Sequence, residues 1–275
     1  MKNHVIVDRF IVASIMLLVC LTAACLGPLT TPAYGKEKMY QEFEGVMLFY
    51  KPVGVDTYRQ LLPTVFDMPD EPLVLAYIIN FYKMASWTIK PYLETAVFLL
   101  AKYNGETIWH CITMPVTTDE ARIGGITYFG YPKVLADITL DHKAYGYSGK
   151  LTANGRPIIQ TTLDTTGYVI TPEEKEWFDR LTGIGSLNIL NGRVIDPTPG
   201  TSSQRDSLLK LSQMYPATFS VKVGRAKLTL NPEAAPKDKG WRPSAFAIQP
   251  AEIVLAYYFK NKFGFSLGRP RELSD

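Results

Sequence analysis

With 275 residues, 47% of them hydrophobic and 20% charged, the chain can bury one large core and is neither a disordered tail nor a fibrous repeat. A formal net charge of +3 is too small to argue for nucleic acid or an anionic lipid surface as partner. The 16 Tyr and 13 Phe favour strands over a helical bundle.

Residues 1–35 are expected to be a targeting segment rather than part of the fold. Lys2 and Arg9 precede an almost unbroken apolar run of 17 residues from Phe10 to Leu26, as in an export signal. Two processing points compete. Thr22-Ala23-Ala24-Cys25 matches a permissive lipoprotein box, in which Cys25 would carry a lipid. Ala33-Tyr34-Gly35 before Lys36 fits ordinary small-x-small cleavage and is the preferred of the two. Either way the mature protein is expected outside the cytoplasm, periplasmic or extracellular, with membrane attachment only through Cys25. That leaves Cys111 as one thiol in the domain, a buried small hydrophobe rather than a disulfide partner. His110 beside it is a poor catalytic partner, since adjacent strand residues point to opposite faces.

The domain is expected over 36–267. Val46–Tyr50 reads as a strand, and Val55–Leu62 as a short helix capped by Asp56 and stopped by Pro63. Leu73–Tyr82 is apolar enough for a strand buried on both faces. Tyr92–Tyr103 and Thr107–Met114 flank Asn104-Gly105, a tight hairpin signal. Ala136–Leu140 reads as a strand, and Ala144–Ala153 and Pro157–Leu163 flank a second such turn at Asn154-Gly155. Thr171-Pro172-Glu173-Glu174 is a capping box that opens a helix to about Leu181. Leu187–Val194 reads as a strand, Pro197–Gln204 as a loop, and Phe219–Leu230 alternates as one strand. Asn231–Gly240 reads as a loop, Ala245–Phe259 as the last strands and 268–275 as a polar tail. Many strands with few helices, and no strand–helix alternation, predict an α+β domain of mainly antiparallel β structure, barrel-like with peripheral helices.

One stretch carries chemistry: Gly124-Gly125-Ile126-Thr127-Tyr128-Phe129-Gly130-Tyr131-Pro132-Lys133-Val134. Pro132 fixes its own φ and pushes Tyr131 toward an extended conformation, so Lys133 is presented in a defined direction. A lysine after a turn is ordinarily solvated. Phe129, Tyr131, Val134 and Leu135 instead give this one apolar neighbours, which disfavour an ammonium and favour an amine nucleophile able to form a Schiff base.

Gly125, six residues before Tyr131, followed by Tyr131-Pro132-Lys133, resembles the Schiff-base segment of the acetoacetate decarboxylase family, which reads Gly-Arg-Glu, a few residues, an aromatic, Pro and Lys. Asp70-Glu71-Pro72-Leu73-Val74, Tyr92-Leu93-Glu94, Tyr145–Leu163, Gly224–Leu230 and Gln249-Pro250-Ala251-Glu252-Ile253 resemble further segments in order, over roughly 40–260. The resemblance implies that Lys133 forms the Schiff base and that Glu94 faces it as the proton shuttle. It implies a lyase acting on a small keto acid or related carbonyl compound, a homo-oligomer, and no cofactor. Departures are specific. The family's second lysine is Val134 here, so the neighbouring cation for which acetoacetate decarboxylase is the familiar example is absent. Its Arg-Glu pair is Ile126-Thr127, a second glutamate falls on Tyr77, and its carboxylate-binding arginine falls near Glu42–Glu44. Tyr77, Thr127, Tyr128 and Arg122 are the candidates by position for replacement substrate contacts. Two alternatives stay open: aldolase or dehydratase chemistry on the same Schiff base, and a catalytically silent ligand-binding protein on the same fold. His4, His110 and His142 are too scattered for a metal site, and no phosphate-binding glycine loop precedes a helix.

Overall fold

The computed structural model describes residues 39–85, 89–190, 207–211, 219–238, 240–262 and 271–273. By contacts the chain divides into Met1–Glu37 and Lys38–Asp275, and all the described residues belong to the second unit. The predicted leader therefore lies outside them, as do 191–194 and the loop at 197–204.

Strand β1 (Tyr40–Pro52) pairs antiparallel with β2 (Val74–Met84), which pairs with β3 (Tyr92–Tyr103), which pairs with β4 (Glu106–Val116). The β3–β4 turn is Asn104-Gly105, both residues at positive φ (49° and 78°), as the sequence predicts. A short β5 (Lys133–Leu135) runs parallel to the end of β4, and β9 (Ser186–Leu190) runs parallel to its beginning. On the other side of the sheet β1 pairs with β13 (Pro250–Asn261), and β13 with β11 (Phe219–Val223). Beyond β9 lie β10 (Ser207–Leu211) and β14 (Arg271–Leu273), so the strand order is β11-β13-β1-β2-β3-β4-β9-β10-β14, with β5 beside β4. A second sheet, in order β12-β8-β7-β6, contains β6 (Asp137–Lys143), β7 (Gly146–Ala153), β8 (Arg156–Asp164) and β12 (Arg225–Leu230). The architecture is thus mixed but mainly antiparallel, with few helices, as expected. Among the described residues the pairing of the large sheet runs from β11 at one end to β14 at the other.

The central strands of the large sheet are buried on both faces. One face carries Ile78, Val97, Leu99 and Tyr50 against Leu151 and Ile159 of the small sheet. The other carries Phe43, Phe49, Tyr77, Phe98, Cys111 and Tyr257, with Ala121 and Leu181 from two helices. That double burial explains why β2 reads as a continuous apolar run. At one end the two sheets are tied by Glu44 of β1. His142 of β6 is 2.9 Å from its Oε1, and the Tyr258 hydroxyl of β13 donates to its Oε2 at 2.7 Å. Tyr147 and Tyr258 stack beside it at 3.8 Å. Burial opposes ionisation of Glu44, yet these hydrogen bonds prevail and hold its carboxyl below the usual range.

Helix α1 (Asp56–Leu61) starts from Val55 with no side-chain cap, so Asp56 is the first helical residue, favourable to the dipole, and not its cap. Helix α3 (Pro172–Leu181) has the predicted capping box from Thr171 and Glu174. Helix α2 (Asp119–Phe129), absent from the sequence prediction, starts at Thr118, whose hydroxyl accepts from the Ala121 amide. Three further predictions are corrected. The 219–230 run is two strands in different sheets, parted where the Gly224 amide donates to the Ala256 carbonyl. A 3-10 turn occupies Pro243–Phe246 before the single strand β13. Residues 271–273 of the supposed tail form β14.

Candidate active site

Lys133 opens β5, in register with Met114 of β4, and Glu94 lies on the adjacent β3 opposite Val116. Side chains of β3 and β5 therefore meet across β4. The Lys133 Nζ stands 2.6 Å from Glu94 Oε2, with the two residues 8% and 5% exposed. Burying such a pair costs desolvation that its attraction does not reliably return. Stability alone is thus a weak explanation for the pair.

Aromatic hydroxyls complete the surroundings of the carboxylate. Tyr77 of β2 donates to Glu94 Oε1 at 2.6 Å, and Tyr92, two residues before Glu94 on the same strand face, donates to Oε2 at 3.4 Å. Burial, and then the charge of Glu94, push both phenols well above their ordinary pKa, so they remain donors. The Lys133 Nζ lies over the Tyr92 and Tyr131 rings, 5.4 and 5.8 Å from their centroids. Among the described residues Lys133 is the one cation bonded to Glu94.

The approach of α2 sets the lysine's direction. Gly130 ends the helix at φ 65°, a left-handed cap that favours glycine. The Tyr131 amide then turns back to the Gly125 carbonyl at 3.1 Å, and the Lys133 amide to the Tyr131 carbonyl at 2.8 Å. The Pro132 carbonyl accepts from the Met114 amide, which docks β5 on β4. Gly125 faces the lysine stem so closely that no side chain fits between them.

Of the positions predicted from sequence, the structure brings Lys133, Glu94 and Tyr77 together. It does not bring Arg122 or Tyr128 to them. Arg122 is engaged by Asp119 through two hydrogen bonds of 2.9 and 2.7 Å, and Tyr128 is 67% exposed on α2. Thr127 is half-buried on the same helix. Tyr92 and Tyr131, motif residues in the sequence, join the site as well. The i, i+2 spacing of Tyr92 and Glu94 on one strand is the signal that could have found the first. Cys111 is buried beside the pair. Burial, and then the Glu94 charge, push its thiol well above the ordinary range against the opposing pull of Lys133, which leaves it inert. Among the described residues no group of three or more His, Cys, Asp or Glu side chains could hold a metal ion.

The acetoacetate decarboxylase family model matches residues 26–273. Solved structures of the same fold include an acetoacetate decarboxylase at 19% identity, TM-score 0.66, covering 90% of this chain and 94% of the other. The acetoacetate decarboxylase of Legionella pneumophila matches at 18% identity, TM-score 0.65, covering 92% and 94%. MppR, an enduracididine biosynthesis enzyme solved with pyruvate, matches at 18% identity, TM-score 0.58, covering 92% and 94%. No protein with a curated description matches. The chain belongs to the acetoacetate decarboxylase family.

Proposed function

We propose that the protein is a Schiff-base enzyme of the lyase type that acts on a small carbonyl compound through Lys133, with decarboxylation of a keto acid as the leading reaction. The observation that carries this is the buried 2.6 Å contact between Lys133 Nζ and Glu94 Oε2. Transfer of one proton from ammonium to carboxylate gives a neutral amine and a carboxylic acid in one step. The amine adds to the carbonyl carbon. Glu94 gives its proton to the carbinolamine hydroxyl, which leaves as water. The resulting iminium accepts the electron pair of the bond to the carboxyl group as CO₂ departs. The enamine carbon is then reprotonated, and water releases the ketone and the lysine.

A second reading, aldol or dehydratase chemistry on the same iminium, is favoured by Val134 and Tyr77, which stand where the family has a cation and an acid. MppR, of the same fold, is solved with the condensation product of pyruvate and imidazole 4-carboxaldehyde. The same departures support a third reading, a silent binder of small carbonyl compounds. We further propose export through residues 1–35, with a lipid on Cys25 as the alternative to soluble release, and assembly as a homo-oligomer. Borohydride reduction in the presence of acetoacetate, and separately of pyruvate, tests the main reading. The expected result is a reduced adduct on Lys133, absent from Lys133→Ala. Its absence with both compounds in folded protein would move the assignment to the binding protein, and CO₂ release from acetoacetate separates decarboxylation from aldol chemistry.

A further inference from the structure

Asn188 is 1% exposed on β9, and its side-chain carbonyl Oδ1 is buried without a hydrogen-bond partner. The amide's orientation is set by its other end. Nδ2 donates at 3.1 Å to the carbonyl of Phe129, which can only accept. A buried acceptor left without a donor is costly, so the oxygen invites one.

Its position is informative. Ser186 pairs with Trp109, and Leu187 packs toward the small sheet, so Asn188 faces the other side of the large sheet, where Tyr77, Cys111 and Tyr131 lie. The Cys111 thiol lies within the electrostatic reach of both Glu94 and Lys133. Phe129, whose carbonyl Asn188 bonds, is two residues before Tyr131, whose ring centroid is 5.8 Å from Lys133 Nζ. Asn188 therefore holds the end of α2, four residues before the lysine, and carries a bare acceptor on the sheet face that also bears Tyr77 and Tyr131.

We infer that Asn188 Oδ1 is a specificity-determining group that accepts a hydrogen bond from a hydroxyl of the bound carbonyl compound, so that the site takes a hydroxy-carbonyl substrate in preference to the plain ketone. Acetoacetate and pyruvate, as anions, bring no such donor. A β-hydroxy ketone, the skeleton of an aldol, does. A site built to pair with a hydroxyl binds the analogue that lacks it more weakly, because the protein's own polar atom is then stranded. This inference rests on the Schiff-base reading for its location but predicts a preference that the reading alone does not.

The test compares 4-hydroxy-2-butanone with 2-butanone on the full chain and on Asn188→Leu. Reversible binding is followed by saturation-transfer NMR, and covalent capture at Lys133 by borohydride reduction. The expected result is a preference of at least about tenfold for the hydroxy ketone, the ratio that about 1.4 kcal/mol produces, lost in Asn188→Leu while 2-butanone still binds. Equal affinity of the natural chain for the two ketones overturns the inference without any variant. So does a preference that survives in Asn188→Leu. A hydroxyl preference with no adduct at Lys133 keeps Asn188 and discards the Schiff base. An adduct with no preference does the reverse, and no binding of either ketone discards both.

Discussion

Gly125 and Lys133 are in contact across the site: a Cβ built on Gly125 would lie 2.3 Å from Lys133 Cε and 2.4 Å from Cδ. The helix backbone therefore acts as the wall that keeps the lysine stem pressed toward Glu94. Gly125→Ala must move the stem or the helix. It is expected to cost about 1–3 kcal/mol of stability through overpacking and to lower Schiff-base trapping far more than the loss of stability explains. Thermal melting and the borohydride adduct yield, measured together, check this. An alanine variant that traps at the natural rate would show that the wall is dispensable.

The Lys133–Glu94 pair makes a second prediction, about stability. Lys133→Met leaves the carboxylate of Glu94 buried with only Tyr77 and Tyr92 as donors. Breaking a buried pair by removing one partner costs roughly 3–5 kcal/mol. Combining it with Glu94→Gln removes the stranded charge, so the double variant should be more stable than Lys133→Met alone. Denaturant unfolding of the natural chain, both single variants and the double gives the coupling directly. Strictly additive losses would mean that the two groups do not share a proton or a charge.

Much of this frame is legible in the sequence because it depends on local chemistry. Asn104-Gly105 and Asn154-Gly155 mark hairpins since each turn needs positive φ, and Thr171 and Glu174 mark a helix start since they satisfy each other's backbone amides. Lys133 and Glu94 were legible through the family's motif. Helix α2 was not, because Gly124, Gly125, Ile126 and Thr127 are poor helix formers held in place by contact with β5 and β4. The division of 219–230 was hidden because alternation continues while the chain changes sheet, and period two does not reveal which sheet a strand joins. Asn188 has no sequence signal at all. A lone Asn in a strand becomes informative only once its burial and bonding are known.

Tyr77 stands where the family has an acid, and its 2.6 Å bond to Glu94 Oε1 predicts how much the replacement matters. Tyr77→Phe keeps the ring against Phe98, 5.8 Å between centroids, and deletes only the donor. Leaving the buried oxygen unpaired is expected to cost about 1–3 kcal/mol. The carboxylate is also freed to rotate, so trapping at Lys133 should slow several-fold without being abolished, a loss of orientation rather than of nucleophile. Unchanged melting together with an unchanged trapping rate would remove Tyr77 from the site.

His110, on the opposite face of β4, predicts the protein's acid sensitivity. It is buried against Phe66 at 4.8 Å, and its Nδ1–H donates to the Leu187 carbonyl at 3.1 Å. Burial is the main cause that lowers its pKa from 6.5 to about 4. The charge of Arg242 adds to that, and the Leu187 bond opposes it. The folded value lies below the unfolded one, so folding favours the neutral ring. The resulting stability is fully present above pH 6.5 and is lost as the pH falls toward 4, on the order of 3 kcal/mol over that window. His110→Gln can still donate to Leu187 and does not titrate. Its unfolding free energy should therefore fall less steeply between pH 6.5 and 4 than that of the natural chain, with the two curves diverging from the top of the window downward. Parallel curves across the window would show that the ring titrates alike in the folded and unfolded chains.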